Sequence, residues 1–396
     1  MQTNFTQART RRTTIFLLPL IALLLGARTL AAQSIGHSTF TFTDAARNNR
    51  QIPTHIYYPA SVAGDDTPIA QGSFPLIVFG HGFVMVWSAY ENFWTDLVPE
   101  GYILVFPTTE GGFAPSHANF GQDMRFLLAE IQSKGAGMSV PVSSVGASAA
   151  IMGHSMGGGA AFLAAADNPS VATLVTFAAA NTNPSAFAAA PQVTAPSLLF
   201  SGSNDCITPP ATQQDMLYDF SGAAYKTQVY ITGGGHCYFA DNNFNCAFGE
   251  ATCSPSPAIT RAEQQAATSE LLKLWLGFFL KTDCNKAAAF QDSLALSMRI
   301  TTRQNQSVAC VSGTDDAFSD ERDFKVFPNP FSNTIQLETA SGAVYCQLFD
   351  ALGQLVWAGK NIQQQDFSAL PCGFYYLRVE GQDRGFRLVK SMISGN

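Results

Sequence analysis

The sequence predicts an α/β domain, a mostly parallel sheet with helices on both faces, followed by a small all-β sandwich domain. Three observations carry this. Short apolar runs bounded by Gly, Pro, Asn or Asp alternate with longer helical stretches between residues 37 and 282. A serine flanked by glycines, Ser155, stands where a strand pattern gives way to a helix pattern. Beyond residue 322 the helical pattern stops, and short alternating strands separated by glycine turns replace it.

The elements follow in chain order. Residues 1–32 carry Arg9, Arg11 and Arg12, an apolar run at 15–25 and then Leu30-Ala31-Ala32, the order of a secretory signal peptide. The apolar run, broken by Pro19, is too short for a membrane span of roughly 20 residues. The α/β domain is expected over residues 33–285. Its strands fall at 54–58, 75–80, 102–106, 148–152, 171–177, 197–201 and 227–231, and its helices at 118–133, 156–167, 211–220 and 256–281. Trp87, Tyr90, Phe93 and Trp94 make a helical stripe that reads as core packing. Residues 286–322 are polar and read as a connector. Residues 323–396 hold strands at 325–327, 334–337, 345–349, 355–358, 374–379 and 386–389.

Composition narrows the function classes. A chain of 396 residues suggests two or three domains, and 46% apolar against 13% charged residues marks a globular body. The net charge of -7 has no basic block, which argues against nucleic acid. All eight cysteines follow the expected leader and lack paired C-x-x-C spacing, so disulfides are favoured over a metal site.

Gly153-His154-Ser155-Met156-Gly157 fits the G-x-S-x-G nucleophile elbow, in which a strained strand-to-helix turn exposes the serine and the glycines avoid clashes. A serine hydroxyl needs a base. Of the six histidines, His236 follows a strand and the Gly233-Gly234-Gly235 loop, the last position in a Ser, acid, His order. Asp205, in the loop ending the 197–201 strand, is the chosen acid; Asp215, Asp219 and Asp241 are its rivals. The oxyanion hole is assigned to the backbone N–H groups of Met156, after the nucleophile, and Phe83, in Gly80-His81-Gly82-Phe83 after an early strand. Phe83 and Met156 are also the expected substrate-binding residues. Asp205 and His236 are each followed by a cysteine, so converging loops would bring Cys206 to Cys237; Cys246 with Cys253 and Cys284 with Cys310 are further pairs by proximity, and Cys346 with Cys372 is a separate candidate pair in the tail.

With these motifs in place, residues 40–282 resemble the secreted serine esterases of the α/β-hydrolase superfamily, closest to the cutinase-like polyester hydrolases, including those acting on polyethylene terephthalate. The carrying residues are Phe79-Gly80-His81-Gly82-Phe83, Gly153 to Gly159, residues 190–200 leading to Asn204-Asp205, and Ile231-Thr232-Gly233-Gly234-Gly235-His236. Dienelactone hydrolases and chlorophyllase-like esterases share much of this. The loop after the 171–177 strand, Ala178-Ala179-Ala180-Asn181-Thr182, lacks the aromatic residue expected there. The tail resembles the carboxy-terminal sorting domain of type IX secretion substrates, through Val326-Phe327-Pro328-Asn329-Pro330-Phe331, residues 348–354 and residues 373–379. Together the two resemblances imply an exported ester hydrolase; it is expected to be a monomer and to need no metal or organic cofactor. Its partners would be an ester substrate and the type IX machinery. Amide hydrolysis and surface binding on a retained hydrolase fold are the alternatives.

Overall fold

A computed structural model of the chain describes residues 33–309, 325–329, 331–338, 344–350, 355–371, 373–379 and 385–390. The expected signal peptide, Cys310 and Cys372 lie outside the described residues. The chain divides into two compact units between Val308 and Ala309.

The first unit is built on a ten-stranded sheet. Its strands begin with β1 (Ser34–Asp44), β2 (Arg50–Ala60) and the short β3 (Gly64–Asp65), then β4 (Phe74–Gly80) and β5 (Ile103–Pro107). A small separate hairpin, β6 (Gly135–Ala136) and β7 (Val140–Pro141), interrupts the order. The sheet resumes with β8 (Val145–His154), β9 (Thr173–Phe177), β10 (Ser197–Gly202), β11 (Lys226–Ile231) and β12 (Ile300–Gln304). In space the order is β12-β11-β10-β9-β8-β4-β5-β2-β1-β3. The pairings from β11 through β10, β9, β8 and β4 to β5 are all parallel, and β1, β2 and β12 add antiparallel flanks.

Side-chain alternation along the parallel strands divides the core in two. Leu76 and Val78 point into one cluster while Ile77 and Phe79 point into the other, and β5 and β8 repeat the pattern. The first cluster is closed by α2 (His117–Lys134) and α3 (Met156–Ala165). The second is closed by α1 (Glu91–Leu97) and α7 (Arg261–Lys281). Between α3 and α7 the chain forms α4 (Ala186–Ala189), α5 (Gln214–Phe220) and α6 (Phe244–Glu250). The helix expected from residue 256 starts at Arg261, because Pro255 and Pro257 precede it and a Thr260 and Glu263 capping box sets its first turn. Its buried face includes Leu271, Leu272, Trp275 and Leu276, each worth about 1.5–3 kcal/mol of transfer free energy. The aromatic stripe is core as expected: Tyr90, Phe93 and Trp94 are buried.

The polar stretch read as a connector begins differently. Cys284–Leu296 forms α8, and β12 pairs antiparallel with β11, so the sheet runs through Gln304. An edge strand with two exposed threonines needs no apolar run, which is why polarity there suggested a loop. No helix among the described residues is long and apolar enough to cross a membrane.

The second unit contains a two-stranded sheet, β13 (Lys325–Phe327) with β14 (Gln336–Glu338), and a four-stranded antiparallel sheet. The latter takes the order β16 (Leu355–Lys360), β15 (Tyr345–Asp350), β17 (Gly373–Val379), β18 (Gly385–Lys390). Phe331, Ile335, Leu348, Phe367 and Leu377 are among its buried core residues. Cys346 is a buried free thiol, so the pair expected with Cys372 is not made.

Candidate active site

Parallel register places the ends of the central strands on one edge: Gly80 pairs with Gly153, His154 with Phe177, and Gly202 with Ile231. The loops leaving β4, β8, β10 and β11 therefore open together, where a parallel sheet puts its ligand site. Those four loops carry Phe83, Ser155, Asp205 and His236.

Ser155 is the N-cap of α3, with φ 55° and ψ -120°. A non-glycine residue in so sparse a region costs about 1–3 kcal/mol unless its surroundings hold it. Here they do: Ser155 N–H donates to the Phe177 carbonyl at 2.9 Å, and its carbonyl accepts from Ala180 N–H at 3.0 Å. The flanking glycines answer a close approach of backbones. A Cβ on Gly153 would sit 2.2 Å from the Gly157 oxygen, and one on Gly157 would sit 2.1 Å from the Gly80 oxygen.

Asp205 and His236 are brought together and buried, with Asp205 Oδ2 2.8 Å from His236 Nδ1. The other carboxylate oxygen accepts from the backbone N–H groups of Ile207 and Thr208, each at 2.8 Å. Thr208 Oγ1 donates to Asp205 Oδ2 at 2.8 Å and lies 3.0 Å from His236 Nδ1. A carboxylate at Nδ1 selects the Nδ1–H tautomer and leaves Nε2 as the basic nitrogen. The rival acids are committed elsewhere. Asp215 accepts from Gln228 and Tyr230, Asp219 from Arg303, and Asp241 from Asn92 and Gln265.

Ser155 and His236 line one cavity of about 360 Å³ with Phe83, Ile207, Phe244 and Phe248. A neighbouring lobe of about 390 Å³ shares Ser155, Phe83 and Ile207 and runs past Met156 to His117 and Asn181. Met156 opens α3, where backbone N–H groups lack helical partners and the helix dipole favours an anion. The Gly82 carbonyl accepts from Met85 N–H at 3.1 Å and faces His81 Nδ1 at 2.9 Å. In a trans peptide the Phe83 N–H points the opposite way from that carbonyl. His81 Nε2 faces the Thr109 carbonyl at 2.9 Å, and burial lowers the pKa of His81. Among the described residues no trio of His, Cys, Asp or Glu side chains is grouped to hold a metal ion.

The disulfides differ from expectation. Cys206 pairs with Cys253 and Cys237 with Cys246, so neither Cys206 to Cys237 nor Cys246 to Cys253 is formed. Because the Asp205 and His236 side chains face each other, the next side chain in each turn diverges from that contact. Each thiol instead meets residues 243–253, which fold back as a strap tied to the Asp205 loop through Cys253 and to the His236 loop through Cys246. Cys284 is disulfide-bonded too. The strap contains α6, and at its i, i+4 spacing Phe244 and Phe248 are 81% and 74% exposed beside the cavity. Phe113 adds a third exposed ring, at 86%.

Sequence reasoning missed Thr208 and the strap. The Asp205-x-x-Thr208 spacing signals a local carboxylate-to-backbone turn, and Cys246 inside the Phe244-x-x-x-Phe248 pair with Cys253 beyond it signals a tethered helix.

Residues 30–254 match the PET hydrolase-like family, and residues 325–394 match the secretion system C-terminal sorting domain. A comparison with curated proteins finds no match. The sorting domain directs the chain through type IX secretion to the cell surface or beyond. With its elbow, nine of the ten strands of the sheet and more than half of its length covered by that first match, the chain belongs to the PET hydrolase-like family.

Proposed function

We propose that this protein hydrolyses carboxylic esters through an acyl-enzyme, with bulky apolar esters, polyesters such as polyethylene terephthalate or cutin among them, as substrates. The observation that carries the proposal is the Asp205–His236 pair opening into the same cavity as a strained elbow serine. Ser155 Oγ attacks the ester carbonyl carbon while His236 Nε2 takes its proton, and Asp205 holds the imidazole and stabilises its cation. The oxyanion is received by the N–H groups of Phe83 and Met156, each worth about 3–4 kcal/mol of barrier. Collapse expels the alcohol with the proton from His236, and water repeats the sequence to release the acid.

Substrate class is read from the walls. The larger side chains around the serine are Phe83, Met85, Phe113, Ile207, Phe244 and Phe248, and among the described residues no lysine, arginine or carboxylate joins them. Such a rim suits an apolar acyl chain or an aromatic ring better than a charged metabolite. The exposed rings on the strap also supply aromatic surface that the loop after β9, Ala178 to Thr182, does not.

The test compares wild type with Ser155→Ala on p-nitrophenyl butyrate and on an amorphous polyethylene terephthalate film. Loss of at least about a thousand-fold in butyrate turnover is expected. Equal rates in the two proteins would sink the esterase reading. Butyrate turnover without soluble product from the film would remove polyethylene terephthalate alone.

A further inference from the structure

We propose that Tyr90 and His154 are positioning residues that hold the oxyanion loop and the base loop at a set separation. The proposal rests on the triad reading above. Neither side chain touches the cavity, and both are completely buried.

Three hydrogen bonds join the two loops. Gly82 N–H donates to Tyr90 Oη at 2.7 Å; Tyr90 Oη lies 3.0 Å from His154 Nδ1; and His154 Nε2 lies 3.0 Å from the His236 carbonyl oxygen. Their direction is forced. A carbonyl only accepts, so His154 Nε2 carries the ring proton. Burial first, and then the neighbouring His236, push the pKa of His154 well below its ordinary value, so the ring is neutral and Nδ1 is an acceptor. Tyr90 therefore donates to Nδ1, which leaves its oxygen to accept from Gly82. The Met85 sulfur, 3.3 Å from Tyr90 Oη, is the weaker acceptor for that proton. Every donor along the line meets one acceptor, and a chain so matched polarises in one sense.

The ends of this chain give it a role in catalysis. Gly82 immediately precedes Phe83, the oxyanion donor, and its carbonyl is already held by Met85 N–H. Its N–H, held by Tyr90, is thus the second restraint on that turn. At the other end the bonded atom is the backbone carbonyl of the base itself. His154 is also the covalent neighbour of Ser155. One imidazole therefore links nucleophile, base and oxyanion loop, whose mutual placement sets the rate.

The test measures kcat and KM for p-nitrophenyl butyrate in the full-length protein, normalised to the folded fraction from circular dichroism. In Tyr90→Phe, which removes only the hydroxyl, kcat per folded enzyme is expected to fall about ten- to a hundred-fold with KM within about two-fold. His154→Leu should lose as much. His154→Gln should recover part of the rate, since its amide reaches the Nε2 position and can donate to the His236 carbonyl. Tyr90→Phe at wild-type kcat, a loss carried by KM instead of kcat, or equal rates in His154→Gln and His154→Leu would each overturn the proposal. A wild type no faster than Ser155→Ala would instead remove the triad reading, and this proposal with it.

Discussion

On one wall of the cleft, Gly80, Gly153 and Gly157 bring strand, elbow and helix so close that an added Cβ would meet backbone at 2.1–3.1 Å. Buried hydrogen bonds through Tyr90 and His154 lock the loop beside them. On the other wall, residues 243–253 hang from two disulfides and from the Glu250 carboxylate, which accepts from Cys237 N–H at 3.0 Å, while Phe244 and Phe248 face solvent. The first wall is fixed by packing and has no room for change. The second is fixed by covalent tethers, because seven helical residues with exposed rings bury too little apolar surface to hold themselves. In the proposed reaction, bond-making, which needs sub-ångström placement, would sit on the first wall, and the body of an apolar substrate, which needs only a surface, would rest on the second.

The contrast means that the two walls fail to different insults. The largest effect should come from reduction of the strap. Closing loops of 47 and 9 residues constrains the unfolded chain by about 4 and about 2.5 kcal/mol respectively. Cys206→Ser with Cys253→Ser should therefore lose more stability in urea melts than Cys237→Ser with Cys246→Ser; the reverse order would break the account of the strap as a loop-length effect.

The packed wall should instead be sensitive to acid. The pKa of His154 in the folded protein lies well below the ordinary 6.5, so below that pH the unfolded chain binds a proton that the folded chain refuses. Its contribution is complete above pH 6.5 and is lost as pH falls from there, with a slope of about 1.4 kcal/mol per pH unit. His81, also lowered by burial, acts in the same direction. Unfolding free energies between pH 8 and pH 5 test this, and His154→Gln should flatten the slope; an unchanged slope would assign the acid sensitivity to other groups.

The smallest effect should be selective. Phe244→Ser with Phe248→Ser should reduce kcat/KM for a long-chain p-nitrophenyl ester about ten-fold more than for the acetate, the equivalent of about one buried ring. Equal losses on both esters would show that the strap serves loop geometry and not substrate contact.

The legible and illegible parts follow the same division. The elbow could be read because its steric demands are local: glycines two residues either side of Ser155, a strand before and a small-residue helix after. The parallel sheet was legible from apolar runs, and the edge strand β12 was not, since an edge strand is half solvated and looks like a loop. Tyr90 was legible as core but not as a hydrogen-bond donor. Its partner lies 64 residues away, and helical spacing reports which face is buried without reporting what a hydroxyl on that face meets. The cysteines misled for a related reason. Adjacency to Asp205 and His236 suggested that Cys206 and Cys237 would meet, whereas neighbouring side chains in a turn point apart.

By itself the sequence determined an α/β domain with a glycine-flanked serine elbow, with Asp205 and His236 following it in chain order as its proposed acid and base, and a sorting tail, because each is written in short-range spacing and residue size. Only the tertiary structure decided which acid faces His236, how the cysteines pair, and that Tyr90 and His154 connect the two loops. Those outcomes depend on where loops from different strands converge, and convergence is set by sheet register and packing among residues far apart in the chain.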